Sequence, residues 1–296
     1  MPLKILWFET GDPWIVSRAK EAGARLGVHV DSIDAYDLNL AADGTHIGVF
    51  AEGRNLASCY DALVVRSFMP FISETITLAR LFREAGKVVI DESLTDEGYA
   101  MSKMHDYIML AAGGVPVPRT RQFSDPNQMA DFADELGYPC VVKGTYGSRG
   151  RYVHKIGSEP ELRKRVMHYK PGEASVQEFL DAFVDYRVMV IGYRALPVYV
   201  SRKPQPGDFR TNFELNEEVI AHPMSEAPEM QVIAERAARI LRREFTGVDI
   251  RCRGAQPLVL EANRRPGFKD FERATDFDVA GAFIAYVIEK CKGATP

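Results

Sequence analysis

Residues 245–267 read FTGVDIRCRGAQPLVLEANRRPG. Two apolar runs flank the polar turn RGAQP, the pattern of a β-hairpin. With the turn centred on Ala255, Asp249 lies across from Glu261. Side chains alternate faces along a strand, so Asn263 shares the face of Glu261. Two carboxylates and an amide oxygen then crowd one patch. Like charges directly opposite on a sheet are destabilising. A hard divalent cation removes that penalty, and oxygen ligands of this kind suit Mg²⁺ that keeps waters and phosphate oxygens. A solvated hairpin with acids placed by chance is the competing reading. Against it, Asp249 and Glu261 are embedded in apolar strand sequence, GVDI and LVLEAN, where solvated acids are not expected.

The rest of the chain bounds what such a hairpin serves. Its 296 residues suffice for two domains, or for one with a large insertion. A hydrophobic content of 46% is ordinary for a globular core. The net charge of −4, from 37 basic and 41 acidic residues, argues against whole-surface nucleic-acid binding. Cys59, Cys140, Cys252 and Cys291 form no CxxC pair, so a reducing compartment and no structural zinc are expected. The histidines form no HExxH. The most apolar long stretch, Phe183 to Val200, is broken by Asp185, Arg187 and Arg194 and does not span a bilayer. The N-terminus lacks a signal-peptide pattern. A cytoplasmic protein without membrane or nucleic-acid partners is the expectation.

Strand and helix alternate over the first third: strands at Lys4–Phe8, Val28–Ile33, Asp61–Val65 and Lys87–Ile90, helices at Trp14–Leu26 and Ser73–Glu84. That order predicts a small α/β layer with a mostly parallel sheet. Helices are then predicted over 103–112, Asp125–Leu136 (capped by Asp125 or Ser124) and Glu159–His168, with strands at Cys140–Lys143 and Arg151–Ile156. Strands at Val176–Leu180, Tyr186–Ile191 and Ala195–Ser201, the 245–263 hairpin, and helices at Glu229–Glu244 and Val279–Glu289 complete a mainly antiparallel second part.

Three further segments carry chemistry. CVVKGTYGSRGRYV (140–153) places Lys143 at a strand end, followed by a glycine-rich turn through Gly147 and Ser148. Backbone N–H groups in such a turn cradle phosphate oxygens, and Lys143 supplies a point charge. The segment is not a Walker loop, and taken alone a plain hairpin tip with two solvated arginines explains it better. In SVQEFLDAFVDYRVMVIG (175–192), the strand end at Glu178-Phe179-Leu180 offers backbone groups to an adenine, and Asp185 is placed to accept from ribose hydroxyls; an edge strand is the plainer alternative. VSRKPQPGDFRTNFE (200–214) gathers Arg202, Lys203 and Arg210 in a polar loop suited to phosphate or a substrate carboxylate. Arg264 and Arg265 add two cations beside the proposed metal.

Taken in order, these elements resemble the ATP-grasp carboxylate–amine ligases, closest to the RimK type, over essentially the whole chain. The specific marks are GDFRTN (207–212), GVDI (247–250), LEAN (260–263) and PGF (266–268). The resemblance implies an α/β N-terminal layer (1–97) and an α+β ATP-grasp fold of two lobes enclosing ATP. These are a central lobe with a glycine-rich lid (98–175) and a C-terminal lobe with the metal site (176–296). It implies phosphate contacts from Lys103 and Lys143, an adenine hinge at Gln177, Glu178, Phe179 and Leu180, and a ribose acid at Asp185. Arg210 and Asn212 match the nucleotide-contacting loop, Arg202 the arginine near the reacting phosphate, and Asp249, Glu261 and Asn263 the ligands of Mg²⁺ or Mn²⁺. Arg187, Arg264 and Arg265 are candidates for substrate contact. The implied partners are an amino acid and a carboxylate on a metabolite, peptide or protein C-terminus, in a homo-oligomeric enzyme, dimer or tetramer. The implied reaction runs through an acyl phosphate. Two departures stand out: Tyr152 replaces the last glycine of the usual G-x-x-G-x-G turn, and Arg264-Arg265 follow Glu-x-Asn where a small residue is common. A small-molecule kinase and a nucleotide-binding regulatory protein without turnover remain open alternatives.

Overall fold

The computed structural model describes residues 2–9, 11–43, 46–66, 71–95, 102–145, 152–181, 184–211 and 216–293. Gly147, Ser148 and Asn212 lie outside the described residues.

The run KILWF forms β1 (Lys4–Phe8). After the exposed Lys4 it is apolar because both of its faces are covered. Ile5 and Trp7 enter one core, Leu6 and Phe8 another on the opposite side of the sheet. Helix α1 (Pro13–Arg25) starts where Asp12 accepts from the Ile15 N–H and Pro13 occupies the first helical position. There follow β2 (His29–Ile33), β3 (Asn39–Asp43), β4 (His46–Ala51), β5 (Arg54–Asn55), α2 (Leu56–Cys59), β6 (Ala62–Val65), α3 (Ile72–Glu84) and β7 (Val88–Ile90). Strands β2-β1-β6-β7 make the expected parallel sheet. The antiparallel sheet β3-β4-β5 was not foreseen, and NLAAD in β3 carries none of the β-branched residues that mark strands.

The central lobe comprises α4 (Lys103–Ala112), β8 (Thr120–Gln122), α5 (Pro126–Leu136), β9 (Cys140–Gly144), β10 (Val153–Ile156), α6 (Glu159–Val166) and β11 (Ala174–Glu178). Asp125 is the cap of α5, accepting from the Asn127 N–H at 2.9 Å. The sheet runs β10-β9-β11-β8 and buries one face against α5 and α6 through Ala133, Val142, Ile156, Leu162 and Val176. Because β11 pairs with β9 and β8, this sheet extends to Glu178, past the expected boundary at 175/176.

The C-terminal lobe contains β12 (Asp185–Ile191), β13 (Arg194–Pro204), β14 (Asn216–Pro223), α7 (Pro228–Ile240), β15 (Phe245–Arg253), β16 (Gln256–Asn263), α8 (Lys269–Thr275) and α9 (Val279–Gly293). Its antiparallel sheet has the order β14-β13-β12-β15-β16. Gly192 (φ 56°) and Tyr193 (φ 63°) form a tight β12–β13 turn, in which two successive positive φ values match the twist of the strands. One sheet face packs on α7 through Val188, Val190, Val248, Ile250 and Val259. On the other face Met189, Ile191 and Phe245 join α9 and the N-terminal parallel sheet in a single core. Each fully buried aliphatic or aromatic side chain there contributes about 1.5–3 kcal/mol. None of the cysteines is in a disulfide. Among the described residues no helix is long and apolar enough to cross a membrane.

Candidate active site

The hairpin β15–β16 pairs Asp249 with Glu261 and Gly247 with Asn263, but not for the reason the turn suggested. The turn is Gly254-Ala255, closed by Arg253 opposite Gln256. A regular ladder from there would set Asp249 opposite Leu260. A bulge intervenes: Ile250 faces Val259, Asp249 faces Glu261, and Leu260 is the extra residue. A bulge bends the strand and re-aims its side chains, and here it brings Glu261 and Asn263 to the face of Asp249.

That face is charged across four strands. Asp249 accepts from Arg187 Nε and Nη2, both at 2.8 Å, and from Arg202 Nη2 at 2.8 Å. Asn263 Nδ2 adds a bond to Asp249 Oδ2 at 3.1 Å and another to the Gly247 carbonyl at 3.0 Å. Burial alone would push the Asp249 carboxyl up; the Arg187 and Arg202 guanidiniums outweigh it and hold it at about 2. Burial would likewise lower Lys103, but Glu261 beside it raises it instead, with Lys103 Nζ donating to Glu261 Oε1 at 2.5 Å. Glu261 is the most exposed member of the group, 41% by its side chain, whereas Arg202 is 2% exposed. The patch therefore runs from a buried arginine to an open carboxylate.

Asp185 was expected to meet a ribose. It lies opposite Arg202, is 3% exposed, and its oxygens accept from Thr211 Oγ1 and Arg251 Nε. Arg251 also reaches the carbonyls of Leu180 (3.4 Å) and Phe209 (3.1 Å). It thus straps β12, Leu180 and the GDFR segment together. Arg251 escaped the sequence reading, although D-I-R alternation puts it on the face of Asp249.

The expected cation loop at 200–214 is not one cluster. Because β13 continues to Pro204, Arg202 and Lys203 point to opposite faces. Arg202 meets Asp249, Lys203 meets Glu218 at 2.6 Å, and Arg210 is held by Asp208 at 2.7 Å. Arg264 faces Asp106 at 3.6 Å, and Arg265 pairs with Glu9 at the end of β1. In the central lobe Lys143 lies across from Ser175 and Gln177 from Val141, on the sheet face turned away from α5 and α6. Gln177 donates to Thr120 Oγ1 at 2.7 Å. Glu178 accepts from the Arg119 N–H at 2.7 Å and pairs with Arg253. Phe179 meets Phe209 edge-on at 6.1 Å, under the Lys155 ammonium at 4.1 Å from its ring.

Lys103, Arg187, Arg202 and Arg251 are bonded to Asp185, Asp249 and Glu261, and Lys143, bonded to Tyr107 beside Lys103, adds a fifth cation against three acids. The excess of two positive charges favours an anion. Among the described residues no three His, Cys, Asp or Glu side chains gather to hold a metal. Asp249, Glu261 and the Asn263 amide oxygen form a hard-oxygen set that fits Mg²⁺ when phosphate oxygens complete it.

The family model of the RimK-like ATP-grasp domain matches residues 100–287. The chain is 28% identical over 288 residues to the probable alpha-L-glutamate ligase 1 of Hahella chejuensis, covering 95% of this chain and 92% of that protein. It is 27% identical over 282 residues to the ribosomal protein bS6–L-glutamate ligase of Escherichia coli, covering 94% and 92%. Among solved structures it matches ATP-grasp ligase PsnB complexed with a phosphomimetic variant of a minimal precursor, Mg and ADP. That match has a TM-score of 0.76 at 20% identity, over 97% of this chain and 98% of that one. At that identity the likeness is one of fold.

Proposed function

The chain belongs to the RimK-like ATP-grasp family, ATP-dependent ligases that join a carboxylate to an amine, and on that premise we propose that it couples an acidic amino acid, through its amine, to a carboxylate of a peptide or protein. The observation that carries the reading is the opposed pair Asp249 and Glu261, with Asn263 beside them and cations around them on one sheet face. The acidic substrate class is supported by the positive excess of the site and by the relatives whose names specify glutamate, while Arg264 and Arg265 are engaged by Asp106 and Glu9.

ATP is the phosphoryl donor, and Mg²⁺ offsets the charge of its terminal phosphates. Asp249, Glu261 and Asn263 are the residues that would hold the ion. Lys103, Lys143, Arg187 and Arg202 spread the remaining phosphate charge, and such pre-set donors contribute several kcal/mol at a water-poor site. Gln177 to Leu180 form the adenine end, with Phe179 and Phe209 as its apolar wall. Asp185, buried and bonded to Thr211 and Arg251, acts in this reading through Arg251. A substrate carboxylate oxygen attacks the γ-phosphorus as the bond to the ADP oxygen breaks. The amine then adds to the acyl phosphate carbonyl, phosphate leaves with the bonding pair, and the nitrogen loses a proton. No nucleophilic side chain is required.

The test combines the full-length enzyme and MgATP with a panel of amino acids and of peptides bearing free carboxylates, reading ADP and product mass. ADP release driven by glutamate or aspartate, and a hydroxamate formed when hydroxylamine replaces the amine, are expected. ADP release with a phosphorylated hydroxyl product and no hydroxamate would establish a kinase instead.

A further inference from the structure

β16 is an outer strand of its sheet, so its outward backbone groups lack a ladder partner. Helix α4 and its exit line this strand, directly or through Arg243, meeting both backbone and side-chain groups. The Val259 N–H donates to the Pro116 carbonyl at 2.9 Å. Tyr107 Oη donates to the Leu260 carbonyl at 2.6 Å. Lys103 holds the Glu261 carboxylate. Arg243, clasped by Asp106 at 2.7 and 2.8 Å, donates to the Ala262 carbonyl. Leu260 is the bulged residue, so its carbonyl depends most on a partner from outside the ladder. Tyr107 is 4% exposed, and its hydroxyl also accepts from Lys143 Nζ on β9 at 3.2 Å. Only a group that both donates and accepts can bridge an ammonium to a carbonyl in this way.

We propose that Tyr107 is a positioning residue for the ligase reaction. It fixes the bulge at Leu260, and with it the face on which Glu261 and Asn263 stand. It also ties that register to Lys143, so that the metal-holding strand and the central-lobe lysine move together. A strand whose bulge migrates by one residue turns its side chains to the other face. A phenyl ring in place of Tyr107 fills the same space but leaves a buried carbonyl unbonded. This rests on reading Asp249, Glu261 and Asn263 as the metal residues.

The test uses the full chain with Mn²⁺ and ADP as probes, following bound Mn²⁺ by electron paramagnetic resonance. Tyr107→Phe is expected to weaken Mn²⁺ in the presence of ADP about tenfold, while metal-free ADP affinity changes less than about twofold. Amide exchange over Gln256–Asn263 should rise, with Asp185–Ile191 unchanged. Unaltered Mn²⁺ affinity overturns the proposal. So does an equal loss of metal-free ADP binding, or an equal rise of exchange in both strands, since either indicates general loosening. Asp249→Asn is run in parallel. Mn²⁺ binding that survives it overturns the metal reading and the proposal with it. Binding lost in Asp249→Asn but untouched in Tyr107→Phe overturns the proposal alone.

Discussion

One face of β12 and β15 changes character halfway along its length. Ile191 pairs with Phe245 and Met189 with Gly247, and Ile191, Phe245 and Met189 lie in the core shared with α9. Two residues further along the same strands, on the same face, Arg187 pairs with Asp249. Two carboxylates mark the contrast. Asp91, at the end of β7, accepts from the N–H groups of Glu244 and Phe245 at the apolar end of β15. Burial and the nearby Glu244 charge push it up to about 7. Asp249, between two guanidiniums, is held at about 2. Equally enclosed acids titrate far apart because one has cations against it and the other has a carboxylate. Apolar burial stabilises the fold outright, whereas a buried ion pair roughly breaks even against desolvation. Charges kept in the second half therefore point to a ligand rather than to stability.

The sharpest way to break this contrast is to change one residue in each half. Asp249→Asn should lower ADP formation by on the order of 10³-fold or more, at the level of whole-site electrostatic loss. Phe245→Ala should cost about 3–5 kcal/mol of stability, with activity falling only in proportion to the folded fraction. Near-normal turnover in Asp249→Asn, or a fully folded but inactive Phe245→Ala, would contradict the division.

A smaller effect concerns the bare ion. With Arg187, Arg202 and Lys103 already against Asp249 and Glu261, Mg²⁺ without nucleotide meets net positive surroundings. Calorimetry should give an affinity for Mg²⁺ alone at least about tenfold weaker than with ADP present, the phosphates supplying the missing negative charge. Equal affinities would show that the cations leave the carboxylates at no cost.

The finest comparison is pH. Asp249 has a depressed carboxyl, so its contribution is present above its ordinary value of 3.8 and is lost as pH falls towards 2, about 2 kcal/mol in all. Asp91 has a raised one. Its contribution is full below 3.8 and disappears as pH rises through 7. Melting temperature should climb from pH 8 to 5 and fall from pH 4 to 2, and Asp91→Asn should flatten the first arm only. An unchanged first arm in that variant would remove Asp91 as its source.

The face-sharing of Glu261 and Asn263 was legible because alternation within a strand is local, and Asp249 came with them as an acid inside apolar sequence. Their pairing was reached through a wrong turn centre that the bulge at Leu260 offset, and no residue type in LVLEAN announces a bulge. Tyr107 could have been found, since it follows Lys103 by four positions on one helix and so shares its face. The partners of Arg264 and Arg265 were not legible. Asp106 and Glu9 lie far away in sequence, and only the packing of β1 and α4 against the C-terminal lobe brings them near. Strand β14 and helix α8 were missed, because β14 takes its form from pairing with β13 and α8 from packing on β13 and β14.

Helix α9 lies between two sheets and gives Phe283, Ile284 and Val287 to a core that includes Trp7 of one sheet and Phe245 of the other. The central sheet keeps a hydrophobic interior of its own. The helix α4 and its exit belong with the C-terminal lobe, where Leu110 and Val115 enter the core against α7. The shared core predicts that the first and last thirds unfold together, and that a cleft-opening hinge would carry the sheet β10-β9-β11-β8 with α5 and α6 while α4 stays on β16.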